Sequence, residues 1–233
     1  MSVKIIAIGN EGFEVVTGSK RLFIDSFFTP APWVGSAPVR SPDAIRAADM
    51  ILVTHDHHDH FDREQVADVA RRTGAMVIGP SRVVAKLSNR LPPSRVMAMN
   101  PDTQAGEDRV ASCGVNPIPG VFIKAFRTFH GQEHNSYLVD VDGFRLFHDG
   151  DNEDTRPLRE TALGRIDALF MGPWQGSGWV DFIDNAAPRK WFLMHLTEEE
   201  LEQQAAGIFL PGLCDHVPAN LVTLRPGESY TFT

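Results

Sequence analysis

Seven consecutive residues carry the densest chemistry in the chain: Thr54-His55-Asp56-His57-His58-Asp59-His60. Imidazole and carboxylate are the usual ligands of zinc, iron and similar divalent ions. On an extended segment His55 and His57 point to one side, because side chains alternate along a strand. A turn after them can aim Asp59 and His60 at a second ion nearby. Taken alone, the run also fits a solvated, histidine-rich loop. Three more ligand candidates weigh against that reading. His130, Asp151 and His195 each follow a segment that reads as a strand, at 121–128, 144–148 and 190–194. Strand ends gather at one rim in open α/β folds, which is where such folds build their sites.

The elements that must position these groups are short and mixed. Val3–Ile8, Phe13–Thr17 and Arg21–Asp25 read as strands separated by glycine-containing turns. Residues 26–42 hold Pro30, Pro32, Pro38 and Pro42, so they form a loop. Met50–Val53 is an apolar run typical of a buried strand and leads straight into the histidines. Asp62 can then cap a helix, with Gln65 completing a capping box, Val66, Val69, Ala70 and Thr73 on one face, and Gly74 as the stop. A strand at Ala75–Ile78 and a helix at Ser81–Leu91 follow. Strands are expected at 108–115, 121–128, 135–141 and 144–148, the last two joined by an Asp142-Gly143 hairpin turn. Further strands fall at 167–171 and 190–194. Thr197 and Glu200 form a second capping box, and Tyr230–Phe232 adds an edge strand. The pattern predicts an α/β chain with two sheets sandwiched between helices in a single domain, residues 1–233.

Bulk properties exclude several function classes. The 233 residues are 42% hydrophobic and 22% charged, as in an ordinary globular protein. Lys+Arg of 22 against Asp+Glu of 30 gives a formal charge of 22 − 30 = −8, which disfavours a general nucleic-acid binder. The apolar stretch at Met1–Ile8 is too short for a signal-peptide core or a bilayer span, so a cytoplasmic protein without a membrane partner is expected. Cys113 and Cys214 have no metal-pair spacing and read as free thiols. No serine nucleophile elbow, P-loop or dinucleotide fingerprint is present.

The pattern His55-x-His57-x-Asp59-His60, followed in order by His130, Gly150-Asp151 and His195, resembles the ligand signature of the metallo-β-lactamase superfamily. The strand Leu22-Phe23-Ile24-Asp25 and the closing Leu224-Arg225-Pro226-Gly227-Glu228 are similar to its small single-domain branch of ascorbate-6-phosphate lactonase-like proteins. The resemblance spans essentially the whole chain and implies a four-layer αββα sandwich. It implies that His55, His57 and His130 hold one metal, that Asp59, His60 and His195 hold a second, and that Asp151 bridges them. Five histidines and two carboxylates suit zinc first, with manganese or iron as alternatives. A water between two such ions has its pKa lowered toward roughly 7, so hydroxide is available to attack a carbonyl carbon or phosphorus. Asp59 is the expected catalytic proton shuttle. Two departures stand out: Asn152 follows Gly150-Asp151 where the family often has Thr, and the stretch from Pro173 to His195 is short.

Other side chains have two readings each. Asp25 either orients a ligand histidine or simply ends a strand. His134 either lines the substrate pocket or sits in a solvated loop. His58 reads as an exposed spacer, His148 as a packing residue or support for a ligand, and His216 as a loop residue. Trp174 and Trp179, with Phe27, Phe28 and Trp33, either line a pocket or pack locally. The expected activity is metal-dependent hydrolysis of a small-molecule ester, lactone or phosphoester. A phosphodiesterase is the alternative within enzymes, and a metal-binding protein without turnover is the alternative outside them. A homo-oligomer is compatible with exposed aromatic residues.

Overall fold

The computed structural model describes residues 2–29, 38–102 and 110–233. The chain folds as two compact units, Met1–Met99 with Leu224–Thr233, and Asn100–Thr223.

The first unit is built on a seven-stranded mixed sheet. β1 (Val3–Gly9), β2 (Gly12–Val16) and β3 (Arg21–Ile24) form an antiparallel meander. β3, β4 (Met50–Leu52), β5 (Met76–Gly79) and β6 (Val96–Ala98) then run parallel. The C-terminal strand Ser229–Phe232 closes the edge beside β1. Met50, Ile51 and Leu52 are all fully buried, which explains why β4 is a continuous apolar run and not an alternating one. Helices α1 (Arg63–Thr73) and α2 (Ser81–Leu87) supply the crossovers, and α1 packs Val66, Val69 and Ala70 into a cluster with Phe23, Ile51 and Val77. Asp62 caps α1 by accepting the Glu64 and Gln65 N–H groups, and Gly74 ends it at φ 78°. The expected capping box is only half made. The Asp62 N–H already donates to Phe27 O at 2.7 Å, so Gln65 turns its amide onto the Asp62 carboxylate instead. α2 stops at Leu87, short of the expected Leu91.

The second unit repeats this plan. β7 (Ser112–Ile118), β8 (Val121–Arg127), β9 (Asn135–Val141) and β10 (Phe144–His148) are antiparallel. β11 (Ala168–Met171), β12 (Lys190–Leu193) and β13 (Leu221–Thr223) continue from β10 in parallel. The strand expected at 108–115 begins at Ser112, and positions 108–109 lie outside the described residues. Asp142 and Gly143 both take positive φ, 52° and 83°, as a type I′ hairpin turn requires. Helices α3 (Glu160–Leu163), α4 (Trp179–Ala186), α5 (Glu198–Ala205) and α6 (Phe209–Leu213) complete the unit. The Thr197–Glu200 capping box forms in full.

The aromatic candidates divide accordingly. Trp179 is a core residue, 6.0 Å from the Trp191 ring, because it opens α4 on the face turned to the sheet. Phe27 and Phe28 are buried too, Phe27 against Phe23 at 5.2 Å, so neither is an exposed loop aromatic. Trp33 lies outside the described residues. Among the described residues no helix is long and apolar enough to cross a membrane.

Strand polarity decides where the chemistry emerges. β1 and β3 both run antiparallel to β2, and β4 runs parallel to β3. The β1–β2 turn, Asp25 after β3 and the histidine run after β4 therefore leave one edge of the first sheet. In the second sheet β8 and β10 are both antiparallel to β9, and β12 runs with β10. His130, Asp151 and His195 therefore leave one edge of that sheet.

Candidate metal centre

In the first unit, the buried carboxylate of Asp25 organises the histidine run. Its Oδ1 accepts the Thr54 N–H at 2.8 Å, and its Oδ2 accepts the Thr54 hydroxyl at 2.6 Å. The Thr54 proton is thus committed, so Oγ1 acts as acceptor for His55 Nδ1–H at 3.0 Å. Asp25 Oδ2 also accepts His60 Nδ1–H at 3.1 Å. Both imidazoles are held as Nδ1–H tautomers, which leaves the Nε2 lone pair of each for a metal. A tight turn, with the Phe61 N–H on His57 O at 2.8 Å, folds the run back on itself. It brings the His55 ring to 4.4 Å from His57 and 4.1 Å from His60. Asp59 Oδ2 lies 3.7 Å from His60 Nε2. Two ligands of one ion with bonds near 2.0–2.2 Å lie roughly 3–4 Å apart. The side chains of His57 and His58 are exposed, and Asp59 is buried.

Asp25 sits at φ 45°, a left-handed conformation that costs an ordinary residue about 1–2 kcal/mol. Its N–H is held by Leu52 O at 3.0 Å. Gly12 makes room for it: a Cβ there would stand 2.9 Å from Asp25 O. Glu11 was not legible in the sequence, where Gly9-Asn10-Glu11-Gly12 reads only as a turn. It is fully buried, with Oε2 3.5 Å from His60 Nδ1. Glu11, Asp25 and His60 offer ligand atoms within 4.8 Å of one another.

In the second unit, Asp151 divides its two oxygens between two histidines. Oδ2 lies 3.3 Å from His130 Nε2, and Oδ1 lies 3.6 Å from His195 Nε2. Glu153 Oε1 takes His130 Nδ1–H at 2.8 Å, so the Nε2 facing Asp151 carries the lone pair. Glu153 is a second partner that no sequence motif marks. His195 takes φ 59°, again strained for a non-glycine residue, at the point where β12 delivers it. The Trp174 ring lies 5.0 Å from His195, and its buried indole N–H has no hydrogen-bond partner among the described residues.

The polar residues behind this set are all buried. Asn152, the departure from the family pattern, accepts the Phe129 and Asp154 N–H groups at 3.2 and 3.3 Å and donates to both oxygens of Asp149. Burial pushes the Asp149 carboxyl up to about 7, against the hydrogen bonds from Ser136 and Asn152 and with the help of the Asp151 charge. His148 is fully buried 5.6 Å from the Phe170 ring and accepts the Gly150 N–H at 3.2 Å. His134 is also fully buried, which removes it from any pocket wall. His216 is exposed and lies 3.1 Å from Asp184, away from these groups in the sequence and in its bonds.

The donor set is imidazole nitrogen and carboxylate oxygen without thiolate, and it fits a borderline or hard divalent ion. Each unit brings imidazole and carboxylate side chains of this kind.

Known proteins agree with the motif. The β-lactamase superfamily domain model matches residues 20–203. A UPF0173 metal-dependent hydrolase of Thermococcus kodakarensis is 30% identical over 245 residues, covering 97% of this chain and 98% of that protein. The structure of Igni18, a metallo hydrolase from Ignicoccus hospitalis, superimposes with a TM-score of 0.69 at 18% identity, covering 100% of this chain and 99% of that one. An isothiocyanate hydrolase from Delia radicum gut bacteria does so with a TM-score of 0.63 at 13% identity, covering 99% of each chain. The matched domain, the full-length relative and the shared metallo-hydrolase fold together show that the chain belongs to the metallo-β-lactamase superfamily, within a family of metal-dependent hydrolases.

Proposed function

We propose that this chain is a dinuclear hydrolase in which His55, His57 and His130 hold one divalent ion, Asp59, His60 and His195 hold a second, and Asp151 bridges them. The observation that carries the reading is the split of the Asp151 carboxylate, with one oxygen toward His130 and the other toward His195. The Nδ1–H tautomers of His55, His60 and His130 support it, since each turns a lone pair outward. Bound there, two divalent ions, zinc first, would supply the Lewis acidity that activates water near neutral pH and polarises the bond to be cleaved.

The protein's own groups do the rest. Asp25 and Glu153 hold ligand imidazoles in one tautomer and orientation. Asp59, whose Oδ2 lies 3.7 Å from His60 Nε2, would take the proton released by the attacking water. The Trp174 indole N–H beside His195 can donate only, so it favours a substrate that places a carbonyl or phosphoryl oxygen there. A small ester, lactone or phosphoester meets that requirement. The isothiocyanate hydrolase shows that the same fold also serves other bonds.

The test is elemental analysis of protein purified without chelator, together with parallel assays on a lactone and on bis(p-nitrophenyl) phosphate. Two ions per chain and turnover of one substrate class are expected. His57→Ala and Asp59→Ala should each abolish turnover while the metal-free proteins melt as wild type does. A metal-free protein, or full activity in those variants, refutes the proposal. A full metal load without turnover on a broad panel supports instead a metal-binding protein that is not a catalyst.

A further inference from the structure

We propose that His134 is a positioning residue that locks the backbone of Asp151 through a one-way chain of hydrogen bonds ending at Asp149. The inference rests on the reading of Asp151 as the bridging ligand. The Asp151 N–H donates to His134 Nε2 at 3.0 Å. Only an unprotonated nitrogen can accept, so the neutral ring carries its proton on Nδ1, which stands 2.7 Å from Thr128 Oγ1. Thr128 Oγ1 also accepts the Ser136 N–H at 3.1 Å. With both lone pairs used, its own proton points at Ser136 Oγ, 2.9 Å away. The Ser136 hydroxyl then donates to Asp149, whose backbone O and Oδ1 both lie at 2.8 Å. Every hydroxyl and ring proton in the chain therefore has one direction.

The same network reaches the neighbouring ligand. Asn152 holds Asp149 through its Nδ2 and accepts the Phe129 N–H, one residue before His130. The loop after β8 and the loop after β10 are thus tied by buried side chains, and these loops carry His130 and Asp151. His134, Ser136 and Asn152 are fully buried, and Thr128, Asp149 and Asp151 nearly so. The need for such a lock follows from the local backbone. Asp151 follows Gly150 at φ 59° and precedes no regular element, so its N–H has no strand or helix partner. A buried N–H without an acceptor is costly, and a carboxylate that must serve two ions tolerates little rotation. His134 meets both demands. Nothing in the spacing of His130 and His134 shows this, because His134 acts on a residue 17 positions further along.

The experiment compares His134→Ala, His134→Gln, Thr128→Val and Thr128→Ser in the full chain. Zinc affinity is read by competition with a chromophoric chelator, and site geometry by the visible spectrum of the cobalt form. Exchange of the Asp151 amide is read by NMR in the metal-free protein. His134→Ala and Thr128→Val should weaken metal binding roughly 10–100-fold, alter the cobalt bands and speed exchange of the Asp151 amide. His134→Gln and Thr128→Ser keep an acceptor and a donor in place and should recover most of the affinity. If His134→Ala does not fold, Thr128→Val decides alone. Wild-type affinity, cobalt spectrum and amide protection in Thr128→Val overturn the proposal. If the wild-type chain takes up no metal, the dinuclear reading fails, while an unchanged Asp151 amide in the metal-free variants would separately overturn the role of His134.

Discussion

Replacing Asp25 by Asn exchanges one oxygen for an NH2 group, yet it should reverse the tautomers of two proposed ligand histidines at once. The new amide can keep its oxygen on the Thr54 N–H, the 2.8 Å bond made by Asp25 Oδ1. Its NH2 group then stands where Oδ2 accepted two protons, from Thr54 Oγ1 at 2.6 Å and from His60 Nδ1 at 3.1 Å. A donor facing two donors is untenable in a buried site, so both must turn round. His60 moves its proton to Nε2 and offers a bare Nδ1. Thr54 accepts from the amide and sends its proton to His55 Nδ1, 3.0 Å away, which drives the His55 proton to Nε2 as well. Both lone pairs meant for metal are lost, one in each proposed ion site. Loss of such a supporting contact weakens metal binding roughly 10–100-fold, about 1.4–2.8 kcal/mol per site. The number of hydrogen bonds is conserved, so the metal-free variant should melt close to wild type. The assay is a zinc competition titration resolving both sites, paired with thermal melts of the metal-free proteins. Asp25→Asn protein that binds two ions with wild-type affinity would refute the reasoning. Glu11 lies 3.5 Å from His60 Nδ1 and could rescue that ring alone, so Glu11→Gln in the Asp25→Asn background should add a further loss.

Three other perturbations have defined outcomes. In Gly12→Ala the new Cβ meets Asp25 O at 2.9 Å, Gly9 O at 3.0 Å and Ser26 Cα at 3.1 Å, all backbone atoms. Such overpacking should cost about 1–3 kcal/mol in urea melts and weaken metal binding through Asp25, and an unchanged midpoint would count against it. Burial pushes the Asp167 carboxyl up, but the Arg145 N–H and the guanidinium groups of Arg165 and Arg189 outweigh it and hold the group below its usual 3.8. A depressed native pKa means stability that is complete above about 3.8 and is lost as pH falls through the lowered value. Melts of wild type and Asp167→Asn should therefore converge toward acid, and a gap that is constant with pH would contradict the sign. Trp174→Phe keeps the ring beside His195 and removes the donor. It should raise KM or lower kcat on oxygen-bearing substrates without changing metal content, and unchanged kinetics would remove Trp174 from the substrate's contacts.

The proposed ligand set could be read from the chain because its members obey local rules. The run His55–His60 follows an apolar strand, and a single turn suffices to group its rings. His130, Asp151 and His195 each end a strand, and strand ends share an edge once strand polarity is given. The Asp62 and Thr197 caps, the Gly74 stop and the Asp142-Gly143 turn also lie within a few residues of what they control. Asp25 was left with two readings, since its partner His60 is 35 residues away. Glu11 and Glu153 carried no signal, because a turn glutamate and a loop glutamate look alike until the fold brings a histidine to them. Trp179, Phe27 and Phe28 are core residues, and their aromatic character alone does not tell a pocket from packing.

The sequence by itself determined the chemistry on offer: five histidines and two aspartates, without thiolate, spaced at the ends of apolar runs. Composition and short-range pattern suffice for this because ligand type and strand or helix period are properties of neighbouring residues. Only the tertiary structure decided which nitrogen of each ring carries the proton. That choice depends on distant partners: the Asp25 carboxylate for His60, the Glu153 carboxylate for His130, and the Asp151 N–H for His134. A ring's tautomer is set by whatever donor or acceptor stands opposite it, and that partner is brought there by the fold and not by position in the chain.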